Sequence, residues 1–168
     1  MAKDFVMEKA MQTELYDQAV KTLGRLLLPR CDLKLRIGHK VKEFEVYDVL
    51  RRKYVALTPE EWVRAHFVDY MVTALDFSPL RMANEVSIIL NNTKRRADTV
   101  VYDDVLQPLV IVEYKAPSIH LSESVLHQAL RYNLVFQAKA VIITNGMDVY
   151  TVMNGVVKRG VVKYADIV

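Results

Sequence analysis

Three charged residues at short spacing, Asp98, Glu113 and Lys115, are where this sequence could do chemistry. Between Asp98 and Glu113 lies Asp103-Asp104-Val105-Leu106-Gln107-Pro108, polar at its start and closed by a proline, which reads as the turn of a hairpin. Pairing centred on that turn sets Asp98 across from Glu113, with Cβ atoms about 5 Å apart. Lys115 lies two residues beyond Glu113, so both side chains leave one face of the strand. The surrounding Val100, Val101, Val110, Ile111 and Val112 are apolar, so these strands should be buried. Carboxylates that close repel each other, and each charge is costly to desolvate. A divalent cation resolves the conflict, and one or two carboxylates with waters and a phosphate suit Mg²⁺ or Mn²⁺. Such an ion would polarise a phosphodiester and acidify a water, while Lys115 orients that nucleophile or neutralises transition-state charge. A Glu-x-Lys pair alone is common on solvated strands. Asp98, in register on strands that should be buried, tips the balance toward the metal reading.

The blocks around these residues resemble a known family. Arg95-Arg96-Ala97-Asp98 and Ile111-Val112-Glu113-Tyr114-Lys115-Ala116-Pro117 resemble motifs of the PD-(D/E)xK nuclease superfamily. Together with Thr58-Pro59-Glu60-Glu61-Trp62-Val63-Arg64, the last of these looks like the N-terminal nuclease domain of type I restriction enzyme R subunits. Gln128-Ala129-Leu130-Arg131-Tyr132 is similar to the Q-x-x-x-Y element of RecB-like members. The resemblance runs from Val49 to Gly155. It implies a restriction-endonuclease-like core, Asp98 and Glu113 as metal ligands, Lys115 as the catalytic lysine, and the Tyr114 carbonyl in the metal shell. Gln128 and Tyr132 would border the active site from a helix face; spacing alone fits a polar pair on a half-exposed helix equally well.

Other residues stay open between two roles. Glu61 is either a further metal ligand or the closing member of a capping box with Thr58. Glu85 competes with it as third carboxylate. Arg64 either meets a phosphate or pairs with Glu61 one turn away. The basic runs Arg51-Arg52-Lys53 and Lys94-Arg95-Arg96 are candidate contacts to a nucleic-acid backbone, although a solvated face explains either run alone.

These residues need an α/β scaffold to position them. Apolar spacing predicts a helix over residues 4–28, with Phe5, Val6, Met11, Leu15, Ala19, Leu23 and Leu27 on one face and Pro29 ending it. A hairpin follows, Leu33 to Ile37 and Val41 to Val49 around Gly38-His39-Lys40. Thr58 and Pro59 start a second helix that reaches Leu75, burying Trp62 or Val63, Phe67, Tyr70, Met71 and Ala74. Strands are expected at 85–90, 95–102 and 109–115, a helix at 121–136, and strands at 140–144, 149–153 and 156–162. The order predicts a mixed β-sheet flanked by helices. We expect one domain over 1–168, with 1–48 a helix-and-hairpin extension and 49–168 the nuclease-like core.

Composition bounds the rest. The 168 residues are 52% hydrophobic and 26% charged, a globular balance, with net charge +3. There is no apolar run of about 18 residues for a membrane span, and the charged start MAKDFVMEK has no secretory core, so a cytoplasmic location is expected. Cys31 is the single cysteine, so no internal disulfide forms, and a buried thiol is its plain reading. His39, His66, His120 and His127 have no zinc-ligand spacing. The family's motor follows its nuclease domain, but no G-x-x-x-x-G-K-[ST] occurs here, so no ATP site is expected in this chain. The function expected is Mg²⁺- or Mn²⁺-dependent hydrolysis of DNA phosphodiesters, with a separate motor or restriction-system subunit left open as a partner. Cutting both strands would favour a homodimer. The rivals are a non-cleaving nucleic-acid-binding or assembly module on the same fold, and a structural protein whose N-terminal helix oligomerises.

Overall fold

Among the described residues the strands form a six-stranded and a three-stranded sheet. The structure, a computed structural model, describes the backbone of residues 2–38, 44–90 and 93–168; the side chains of 2–6, Ile88, Leu90, 93–95, Gln128, Ala129 and Tyr132 lie outside the description.

The larger sheet runs β4 (Met82–Leu90), β5 (Thr93–Tyr102), β6 (Pro108–Tyr114), β7 (Ala140–Thr144), β8 (Val149–Met153) and β9 (Val156–Arg159), in spatial as well as chain order. Neighbours are antiparallel except β6 and β7, which are parallel. A parallel pair cannot be closed by a tight turn, and helix α3 (Glu123–Phe136) is the crossover between them. The mixed sheet flanked by helices predicted from the sequence is what forms.

Alternation along the strands sorts the two faces. Val110, Val112, Ala140 and Ile142 pack in the main core with Trp62, Phe67 and Met71 of helix α2 (Pro59–Ala74). Val141 and Ile143 are covered instead by Leu121 and by Val125, Leu126 and Leu130 of α3. Truncating a side chain such as Trp62 or Phe67 in such a core costs about 3–5 kcal/mol.

The N-terminal helix departs from expectation. Helix α1 (Ala2–Leu23) stops before Gly24 rather than running to Leu28 and Pro29. Gly24 takes φ +86°, which a residue with a Cβ rarely adopts, and its N–H bonds the Val20 carbonyl at 2.9 Å. Leu15 and Ala19 are buried as predicted, whereas Met11 and Leu27 are exposed; the Phe5 and Val6 side chains lie outside the described set. Beyond Gly24 the chain becomes a strap. Its Leu26 is buried, the Leu27 N–H bonds Gly146 O at 2.8 Å, and Gly24 O accepts the Trp62 indole N–H at 3.1 Å.

The smaller sheet is β1 (Leu35–Ile37), β2 (Phe44–Asp48) and β3 (Lys53–Ala56). The first two are the expected hairpin, whose tip at 39–43, including His39 and Lys40, lies outside the described residues. β3 was not anticipated. It pairs antiparallel with β2 after a turn in which Arg52 takes φ +52°. α2 starts as predicted, with Thr58 as N-cap and Pro59 in the first turn. It is buried on more sides than one stripe requires: Arg64 and His66 are buried with Trp62, Val63 and Phe67, while Ala74 is exposed.

Candidate active site

The β5–β6 ladder pairs Val101 with Val110, Val100 with Ile111 and Thr99 with Val112. The next rung in that register sets Asp98 opposite Glu113, the expected pairing, reached across a register shift between Val101 and Tyr102 where Tyr102 pairs with Pro108. Asp98 Oδ2 accepts the Tyr114 N–H at 2.9 Å, and Lys115 Nζ donates to Glu113 Oε1 at 2.9 Å. Asp98, Glu113 and Lys115 therefore converge at one end of the strand pair.

Their electrostatics carry the expected tension. Burial pushes Glu113 up to about 7; the Asp98 charge adds to the rise, and Lys115 opposes it. Burial also raises Asp98, although the Arg64 guanidinium and the Tyr114 N–H pull it down. Two carboxylates that hold protons this readily are short of positive charge.

Arg64, from α2, supplies part of that charge. Its side chain is buried, and its NH1 donates to Glu61 Oε1 at 2.7 Å and Glu85 Oε1 at 2.6 Å. Its NH2 donates to Asp98 Oδ1 at 2.8 Å. Burial works against this cation, and Asp98 and Glu61 more than offset it, so its pKa rises. Glu61 does not close the capping box: its N–H bonds Thr58 Oγ1 at 3.1 Å, but its carboxylate accepts from Arg51 and Arg64. Glu85, the competing carboxylate, sits in β4 with φ +61°. The β4–β5 ladder pairs Asn84 with Thr99 and Val86 with Ala97, passing over the Glu85–Asp98 rung between them.

Arg51 turns inward as well. Its NH2 meets both Glu61 oxygens at 2.8 and 2.7 Å, and its Nε pairs with Asp48 Oδ2. Asp48 is a member that sequence reasoning missed. Its Oδ1 accepts the N–H groups of Leu50 and Arg51 at 2.8 and 2.9 Å, an Asx-type turn whose local pattern was the available signal. A polar chain leads on: Asn84 Nδ2 donates to Asp48 Oδ2 at 2.8 Å, Thr99 Oγ1 to Asn84 Oδ1 at 2.6 Å, and Tyr114 OH to Thr99 Oγ1 at 3.0 Å. A cavity of about 330 Å³ adjoins the cluster, with Asp48, Glu61, Arg64 and Asn84 in its wall.

The remaining candidates divide. Arg64, open between a phosphate and Glu61, does pair with Glu61, and the guanidinium groups of Arg51 and Arg64 both lie on carboxylates. Arg52 and Lys53 are exposed, and Arg96 is largely exposed while pairing with Glu85 Oε2. The side chains of Lys94, Arg95, Gln128 and Tyr132 lie outside the described set; Gln128 and Tyr132 fall on α3. Among the described residues no group of three or more His, Cys, Asp or Glu is arranged to hold a metal ion.

The chain is similar to a known family and to solved structures. The family described as Type I restriction enzyme R protein N terminus (HSDR_N) matches residues 59–167. Among solved structures, a fragment assigned as an HsdR subunit of a type I restriction enzyme from Vibrio vulnificus YJ016 is similar, with TM-score 0.54 and 14% identity over 66% of this chain. The chain spans 24% of that fragment's length, and at this identity the likeness speaks to the fold alone. A DrdV–DNA complex is similar at TM-score 0.44 and 18% identity, over 61% of this chain and 10% of that one. Among curated proteins none matches.

Proposed function

The chain belongs to the family of type I restriction enzyme R protein N-termini, and from that premise we propose that it hydrolyses DNA phosphodiesters with the help of Mg²⁺ or Mn²⁺. The observation that carries this reading is the convergence of Asp98, Glu113 and Lys115 on adjacent strands, one buried and one half-buried carboxylate beside one ammonium.

The donor set fits a hard divalent ion. Two oxygen ligands with raised proton affinity, backed by solvent, match what Mg²⁺ takes from proteins. Asp98 and Glu113 would hold the ion, with the Tyr114 carbonyl as a further ligand. When bound, the ion would supply Lewis acidity and lower the pKa of a water. Lys115, 2.9 Å from Glu113, would orient the attacking water or neutralise charge gathering on the phosphate. Gln128 and Tyr132 would border the site from α3. Glu61 and Glu85 serve in this reading as partners of Arg51 and Arg64.

Arg52, Lys53, Lys94, Arg95 and Arg96 are the basic residues proposed to meet the DNA backbone, which positions a substrate without specifying its sequence. Residues 1–48 extend a nuclease-like core within one domain. A motor or another restriction subunit, and a second copy for cutting both strands, are the partners this activity would use. No helix among the described residues is long and apolar enough to cross a membrane.

Plasmid and single-stranded DNA incubated with Mg²⁺, Mn²⁺ or EDTA, beside Glu113→Ala and Lys115→Ala, test the reading. Metal-dependent cutting lost in both variants supports it. DNA binding that survives both substitutions, with no cutting under any condition, favours a non-cleaving binding module instead.

A further inference from the structure

We propose that Arg64 is a positioning residue of this site: an internal counter-cation that holds Asp98 in place and sets how strongly the neighbouring carboxylates attract a divalent ion. The proposal rests on the hydrolytic reading above for its activity readout, but not for its binding readout.

Three elements meet at one guanidinium. Arg64 donates to Glu61 on its own helix, to Glu85 on β4 and to Asp98 on β5, at 2.7, 2.6 and 2.8 Å. A planar fork can serve three acceptors at once, which a lysine ammonium on a flexible stem does poorly. The cation also lies 5.4 Å from the centroid of the Tyr114 ring, beneath the strand that carries Glu113. Arg64 is 4% exposed, so its charge is poorly screened by solvent.

Its contacts divide between order and charge. Asp98 is held by two bonds, Oδ2 on the Tyr114 N–H and Oδ1 on Arg64, which leaves one orientation for the carboxylate. Glu85 holds φ +61° within a strand, a conformation unusual for a residue with a side chain, and its carboxylate ends on Arg64 and Arg96. Without Arg64, Asp98 would lose its helix-side anchor and Glu85 a partner. The same deletion would remove a positive charge from beside the carboxylates, and at a pH high enough to keep them ionised a divalent ion nearby would bind more tightly. Order and affinity should therefore move in opposite directions, which mere damage to the fold would not produce.

The test uses the full chain with R64Q and R64K, each checked for folding by circular dichroism, and measures Mn²⁺ binding by calorimetry beside DNA cleavage. R64Q removes the charge and is expected to tighten Mn²⁺ about fivefold or more, while cleavage at saturating metal falls about tenfold or more. R64K keeps the charge but not the fork, so its Mn²⁺ affinity should stay within about twofold of the parent's while cleavage still falls about tenfold. Equal or weaker Mn²⁺ binding by folded R64Q, or parental cleavage by both variants, overturns the proposal. If the unaltered chain cuts no DNA, the hydrolytic reading fails and the Mn²⁺ titration alone decides the role of Arg64. Should R64Q not fold, R64K decides: parental cleavage or altered Mn²⁺ affinity overturns, and lost cleavage at parental affinity supports.

Discussion

Tyr114 donates its backbone N–H to Asp98 Oδ2 at 2.9 Å, so the residue between Glu113 and Lys115 also grips the third member of their group. A carboxylate held by a strand amide cannot turn away without leaving that donor unsatisfied. Asp98→Asn keeps an oxygen for the N–H and removes the charge. Cleavage in a plasmid assay is expected to fall on the order of 10²-fold or more, while the thermal midpoint shifts by less than about 4 °C. A variant that cuts at the parental rate would take Asp98 out of the chemistry.

Glu113 predicts a pH dependence of stability without metal. Its pKa in the folded chain, about 7, lies above the ordinary 4.5, so the folded state binds that proton more tightly. The sign follows: this group favours folding at low pH, and its contribution is lost as pH rises from 4.5 through about 7. The loss is on the order of 3 kcal/mol. Urea titrations across that window should show Glu113→Gln with a flatter profile than the parent, and Mg²⁺ stabilising the parent more at pH 8 than at pH 5. Identical slopes for both proteins would contradict this account.

Asn84 occupies the middle of the polar chain between Asp48 and Thr99. Asn84→Leu deprives two buried groups of a partner and should lower unfolding free energy by about 1–3 kcal/mol. Because Asp48 steadies Arg51, which steadies Glu61, cleavage should also decline, though less than in Asp98→Asn. Denaturant midpoints and initial rates on one plasmid substrate compare the two effects.

Gly146 takes φ +80°, and a Cβ there would come within 2.7 Å of Leu26 Cδ2. Gly146→Ala combines backbone strain with overpacking against the strap and is expected to cost about 1–3 kcal/mol. Adding Leu26→Ala relieves the contact but not the φ, so the double variant should lose less than the two single losses together. Strict additivity in thermal melts would mean that the two residues do not press on each other.

The pairing of Asp98 with Glu113 was legible from centring the two apolar runs on Asp103 to Pro108, but the ladder reaches it through a register shift between Val101 and Tyr102, where Tyr102 pairs with Pro108, and no sequence pattern reports that shift. Strand β7 was legible from a short β-branched run. Of the Arg64 cluster only the pair with Glu61, one turn away, was legible. Glu85 and Asp98 lie 21 and 34 residues from Arg64 in sequence, and what brings them together is the docking of α2, which no local pattern reports. The run Arg51-Arg52-Lys53 reads as one basic patch, yet a turn divides it: Arg51 goes inward to Asp48 while Arg52 and Lys53 stay outside. The end of α1 was misread because apolar spacing continues to Leu27, although Gly24 carried the stop signal.

The strap from Gly24 to Leu27 bears on the order in which a nascent chain can finish folding. Its anchors, the Trp62 indole and the Gly146 carbonyl, leave the ribosome well after it does, so the strap cannot be fully seated until Gly146 has been made. Until the strap is seated, Leu26 and the apolar core face it completes stay open to water. A polypeptide trimmed to 59–167 would keep that greasy surface permanently and should be recovered as aggregate.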